Sequence, residues 1–421
     1  MSVVSLQRGR VLRTLGRVLP ALALGLLLNG QALAGFQSPG LLAPESLLPV
    51  FHQQLRDKLD FSLGWTPAHH LQPQAWTQAG LRKARELILL PGQDPTPFSA
   101  RLIEELDRGS YLARKLEFNV SAHSRVAAVL LRPKGRGPFP AVLVLHDHGA
   151  RFDIGKEKLA QPWGDAARER SAAQWSERYF SGRFVGDELA KRGYMVLAVD
   201  ALGWGERSGV GFERDSQQAL AANFFNLGSS WAGLIATEDA RAAEFLAGLP
   251  EVDGAQVAAL GFSMGALRAW QVAALSPHIK AAVAVNWMAT LQGLMVPGNN
   301  QLKGQSSFAM LHPHLARYLD YPDVAALAAP KPMLMYAGAE DALFPLASVS
   351  QAFAKMAQVW SAYGAAEQLQ TCVWPGGHQF TTPQQEAAFD WLDAQFKRSA
   401  REPLPVCGAQ PPGAPVAMVE L

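Results

Sequence analysis

Ser263 stands between two glycines in Gly261-Phe262-Ser263-Met264-Gly265, directly after the apolar run Val257-Ala258-Ala259-Leu260. A serine hydroxyl attacks a carbonyl carbon only when a base takes its proton, and that base needs an acid to fix its tautomer. The glycines let a strand and the helix after it approach closely, and the turn between them lifts one hydroxyl above the sheet edge. The helix N-terminus then presents free N–H groups to negative charge developing beside that hydroxyl. In such a strand–turn–helix frame the partners are expected in the order serine, acid, histidine, each in a loop after a strand.

Two later loops supply these partners. Asp341 ends Tyr336-Ala337-Gly338-Ala339-Glu340-Asp341, after one apolar run, and Glu340 is the alternative acid. His378 follows Trp374-Pro375-Gly376-Gly377, where two glycines permit a tight turn back over the sheet. His278, His312 and His314 precede the acid, so packing or surface roles are expected for them, and the His69-His70 pair is expected to face solvent. Acyl transfer also needs donors for the oxyanion. The backbone N–H of Met264 is one. The second is expected in Leu145-His146-Asp147-His148-Gly149-Ala150, with the Ala150 N–H first by position and its neighbours as alternatives. His148, Gly149 and Trp204 are candidate pocket residues. His146, Asp147 and His148 lack further spaced ligands and are read as structural hydrogen-bonding groups, so neither a metal nor a cofactor is expected. Asp200, in Val199-Asp200-Ala201-Leu202-Gly203, is read as a carboxylate that fixes its loop.

These loops need a sheet to position them. Continuous apolar runs over 140–145, 194–199, 256–261, 281–285, 332–337 and 369–373 are of the kind buried on both faces of a parallel sheet. Helical patterns over 184–192, 235–249, 266–276 and 347–362 lie between them. This alternation predicts an α/β fold with a mostly parallel sheet and helices on both faces. Residues 115–120 and 125–132 predict an antiparallel hairpin at one edge, and 151–183 form a long insertion expected to shape the pocket. The organisation expected is a signal peptide over 1–34, a helical and loop extension over 35–110, a catalytic domain over 111–400 and a Pro-rich tail over 401–421. Within the extension, 81–89 and 98–107 read as helical patches.

Composition is that of a globular protein, with 421 residues, 49% hydrophobic and 18% charged. Arg8, Arg10, Arg13 and Arg17 precede an apolar stretch over 18–28, and Ala32-Leu33-Ala34 supplies the small residues that a signal peptidase needs. Export with cleavage after Ala34 is expected, to the periplasm or beyond, and the apolar stretch is too short for stable membrane insertion. Cleavage takes four positive charges from a formal net charge of +2. The near-neutral remainder offers no electrostatic footprint for nucleic acid. Cys372 and Cys407 are the only cysteines, and an oxidising compartment would permit a disulfide between them.

Taken together, these motifs resemble the α/β-hydrolase superfamily over residues 111–397, and within it the bacterial branch of dienelactone-hydrolase-like proteins and acetyl xylan esterases. The residues that carry the likeness are Leu145-His146-Asp147-His148-Gly149, Gly155-Lys156-Glu157-Lys158, Pro250-Glu251-Val252-Asp253 and Pro375-Gly376-Gly377-His378-Gln379-Phe380. The resemblance implies an eight-stranded sheet and a Ser263–Asp341–His378 triad. Dienelactone hydrolases carry a cysteine where this chain has Ser263, which favours ordinary esters over lactones. A serine hydrolase acting on short-acyl esters, carbohydrate acetyl esters among them, is the reading. The alternatives are a serine peptidase, a thioesterase or lactonase, and a non-catalytic binding protein on the same scaffold.

Overall fold

Six apolar runs form the parallel strands of one nine-stranded sheet in the computed structural model, which describes residues 51–92, 95–209, 212, 214–299 and 308–396. The expected signal peptide and the Pro-rich tail lie outside the described residues. The strands are β1 (Arg101–Asp107), β2 (Tyr111–Ser121), β3 (Ser124–Pro133), β4 (Phe139–Leu145), β5 (Met195–Val199), β6 (Val252–Phe262), β7 (Ala281–Val285), β8 (Met333–Gly338) and β9 (Leu369–Trp374). Their order is β1-β2-β3-β5-β4-β6-β7-β8-β9. Pairing is antiparallel from β1 through β3 to β5 and parallel from β5 onward.

Both faces of the central parallel strands are covered, which is why β4, β5, β7, β8 and residues 257–262 of β6 are apolar, whereas the edge strand β9 keeps Gln370 and Thr371 and is partly exposed. Along β4, Ala141, Leu143 and Leu145 enter one core while Val142 and Val144 enter the other. The first core packs against the helices Pro73–Ile88, Trp231–Ala247, Met264–Leu275, Tyr321–Ala326 and Leu346–Ala362. The second packs against Ala166–Phe180, Val185–Lys191 and Thr382–Gln395. The helix Met264–Leu275 is buried at every position, which accounts for its run of alanines.

One expectation is corrected. The stretch 98–107 read as helical, yet Arg101–Asp107 is the edge strand β1, so the sheet has nine strands rather than eight. Its leucines and glutamates favour helix intrinsically, but cross-strand pairing overrides a weak propensity. Glu104 meets Lys115 at 3.0 Å, Glu105 meets Arg114 at 2.6 Å and Arg101 meets Glu117 at 3.0 Å, all with β2. The helical part of the extension does form: Pro73–Ile88 buries Trp76, Ala84 and Ile88. No helix among the described residues is long and apolar enough to cross a membrane.

Candidate active site

Ser263 follows the last residue of β6 with φ 55° and ψ −127°, a conformation costly for any residue with a side chain. Close packing holds it there. A Cβ on Gly265 would lie 1.9 Å from the Leu145 carbonyl oxygen, so the start of the helix abuts the end of β4. The Ser263 N–H donates to the Val285 carbonyl at 2.8 Å, and its own carbonyl accepts from the Ala266 N–H at 2.7 Å. These constraints present Met264 as the first helical residue, where a backbone N–H has no intrahelical partner.

Asp341 and His378 meet at the same edge. His378 Nδ1 and Asp341 Oδ2 are 2.6 Å apart, and Asp341 Oδ1 accepts the Leu343 N–H at 3.0 Å. The Asp341 side chain is 2% exposed and that of His378 is 18% exposed, while Glu340 is exposed. Of the two candidate acids, Asp341 is therefore the one joined to the histidine. The loops carrying the pair are laced together: the Ala339 N–H donates to the Trp374 carbonyl and the Glu340 N–H to the Gly376 carbonyl. The His378 ring packs 4.7 Å from the ring of Phe262, the neighbour of Ser263. The His378–Ser263 hydrogen bond itself is not formed among the described residues.

Asn286 is a residue that the sequence reading did not single out. It follows β7 at φ 58°, and its Nδ2 donates to the carbonyls of Gly377 at 3.4 Å and Gln379 at 3.1 Å, bracketing His378. A polar side chain ending the apolar run 281–285 was the available signal. The insertion 151–183 braces the same loop, because the Phe380 N–H donates to the Tyr179 carbonyl at 2.9 Å.

The loop after β4 departs from expectation in one respect. The Ala150 N–H donates to His148 Nδ1 at 3.1 Å, so it is engaged within its own loop. Residue 150 has φ 49°, a turn that folds the N–H back onto the preceding histidine. Both His146 ring nitrogens are likewise satisfied, Nε2 accepting the Ala201 N–H at 3.0 Å and Nδ1 donating to the Asp147 carbonyl at 2.9 Å. Trp204 is fully buried and donates from Nε1 to the His148 carbonyl at 2.9 Å, stacked on Trp231 in a cluster that includes Met264. Asp200 fixes its surroundings as expected, accepting from the Lys156 N–H and Nζ and from the Glu206 N–H.

Behind the elbow, Arg268 pairs with Asp239 through two contacts of 2.9 and 2.7 Å, both side chains 2% exposed, and also donates to the His146 carbonyl at 3.2 Å. Arg268→Met strands a buried carboxylate and is expected to lower stability by about 3–5 kcal/mol, measured by urea unfolding. His312 packs as expected, between Ser230 and Gln271, and burial pushes its pKa down to about 4. The unfolded chain takes up this proton below about pH 6.5 while the folded chain does not, so stability from His312 is lost as pH falls. The stability of the wild type relative to His312→Gln is expected to fall by about 2 kcal/mol between pH 7 and 5. An unchanged difference in urea midpoints would contradict this.

Comparison with known proteins agrees with the geometry. The model of the Abhydrolase family matches residues 45–389. YtaP, a hydrolase-like protein of Bacillus subtilis (strain 168), is 26% identical over 299 residues, which cover 70% of this chain and 93% of YtaP. An acetyl-xylan-esterase-like protein from Bacteroides fragilis NCTC 9343 superposes with a TM-score of 0.63 at 18% identity, over 77% of this chain and 80% of that one. A glucuronoyl esterase from Solibacter usitatus gives 0.54 at 15% identity, over 76% and 92%.

Proposed function

Because the chain belongs to the Abhydrolase family, we propose that it is a serine hydrolase that cleaves carboxylic esters through an acyl-enzyme on Ser263. The observation that carries this is the 2.6 Å pairing of His378 with a buried Asp341 beside the strained Ser263. Ser263 Oγ attacks the ester carbonyl carbon as His378 Nε2 takes its proton, and Asp341 holds Nδ1–H and balances the imidazolium. The Met264 N–H and an amide of the loop after β4 receive the oxyanion. The tetrahedral intermediate collapses, and the alcohol leaves with the proton from His378. Water, deprotonated by the same histidine, then attacks the acyl-enzyme and releases the acid with Ser263 restored.

Short-acyl esters, including acetyl groups on carbohydrates, are the substrate class. The esterase names of the structural relatives support this class. A panel of p-nitrophenyl acetate, longer acyl esters, acetylated sugars and peptide amides tests it. Turnover of acetyl esters but not of amides is the expected result, and amide cleavage at comparable rates would replace the esterase reading with a peptidase. Export completes the proposal. Cys372 is disulfide-bonded, which suits an oxidising compartment, while Cys407 lies outside the described residues. The intact mass of secreted protein checks cleavage after Ala34.

A further inference from the structure

Lys158 is fully buried, and its ammonium is not directed to a matched carboxylate alone. Nζ donates to two consecutive backbone carbonyls, Asp147 at 3.0 Å and His148 at 3.0 Å, with Asp147 Oδ1 farther away at 3.5 Å. Each carbonyl has a second donor: His146 Nδ1 for Asp147 and Trp204 Nε1 for His148. Two successive peptide planes are therefore held with their oxygens towards one cation. In a planar trans peptide the N–H points opposite to the C=O. The N–H groups of His148 and Gly149 consequently face away from Lys158, side by side, and successive N–H groups facing one way form an anion-binding concavity.

The sheet register says where that concavity lies. β4 pairs with β6 in parallel with Leu145 opposite Gly261, and a Cβ on Gly265 would meet the Leu145 and His146 carbonyl oxygens, so the loop after β4 starts beside the elbow. Trp204, which donates to the His148 carbonyl, packs in one cluster with Met264. The loop packs too closely for a side chain at its turn. Gly149 has φ 53°, and a Cβ there would fall 2.2 Å from the Trp175 ring, which itself donates to Asp147 Oδ2 at 3.1 Å. The Lys158 ammonium also lies 4.9 Å from the centroid of that ring.

We propose that Lys158 is a positioning residue of the oxyanion hole, turning the Asp147 and His148 carbonyls aside so that the His148 and Gly149 N–H groups receive the oxyanion opposite Met264. The inference rests on the serine-hydrolase reading and gives its second donor an address other than Ala150. Lys158 touches no reacting atom. It acts through the two peptide planes that it holds.

The test compares two buried lysines with p-nitrophenyl acetate, counting competent sites by exhaustive fluorophosphonate titration. Lys158→Met is expected to lower kcat per titrated site about 10²-fold with KM changed less than threefold, as loss of an oxyanion donor does. Lys156→Met removes a cation equally buried but bound to the carboxylates of Glu157, Asp200 and Glu206. It should lose stability yet keep kcat per site within threefold. A folded Lys158→Met protein with kcat per site within threefold of wild type overturns the proposal. A crystal structure of the wild-type fluorophosphonate adduct decides independently of whether the variant folds. A phosphoryl oxygen within about 3.2 Å of the His148 or Gly149 nitrogen is expected. An adduct on Ser263 whose oxygens all avoid both amides overturns this inference alone, whereas absence of any Ser263 adduct overturns the hydrolase reading with it.

Discussion

Ser263→Ala is expected to lower ester turnover by about 10⁶-fold, leaving only the rate enhancement from binding and oxyanion donors. The size of the effect follows from chemistry rather than folding. Alanine at φ 55° bears the same backbone strain as serine, and the Val285 and Ala266 hydrogen bonds that hold the turn are made by the main chain. The variant should therefore unfold at the urea concentration of the wild type within the error of the measurement. Inactivity with unchanged stability assigns the loss to the hydroxyl. Retained turnover would show that another group is the nucleophile.

Asp341→Asn is expected to lower kcat by about 10⁴-fold with KM little changed, measured on the same acetyl ester. Asparagine fills the same space, and its Oδ1 can still accept the Leu343 N–H. Its NH₂ group then faces His378 Nδ1, where the wild type has an accepting oxygen at 2.6 Å. The imidazole is forced to carry its proton on Nε2, the tautomer that cannot take one from serine, and the balancing charge is gone. Glu340→Gln makes the contrast. That side chain is exposed, so activity within twofold of wild type is expected. Equal losses from the two variants would dissociate the acid from the histidine.

Much of this arrangement was legible in the chain because local rules and the fold agree there. Strands buried on both faces must be apolar throughout, and the runs leading to Leu145, Phe262, Val285 and Gly338 are. The glycines around Ser263 announced a close approach that the structure shows against Leu145. Asp341 and His378 were visible as polar residues directly after such runs. What escaped was decided by partners distant in sequence. Arg101–Asp107 carries helix-favouring residues and becomes a strand only because β2 offers complementary charges. Asn286 acquires its role from carbonyls 91 and 93 residues away. Ala150 occupied the expected position for a donor, but the sign of its φ, invisible in the sequence, turns its N–H onto His148. In the chain Lys158 is visible only as part of Gly155-Lys156-Glu157-Lys158, since its task depends on which way two peptide planes face.

The central claim is that Ser263 is an activated nucleophile, and covalent labelling of the folded wild-type protein by a fluorophosphonate tests it most directly. The expected result is a single adduct that peptide mapping places on Ser263, formed at a rate that falls sharply in His378→Asn. Protein that hydrolyses acetyl esters yet carries no adduct on Ser263, or carries it on a different serine, would contradict the account.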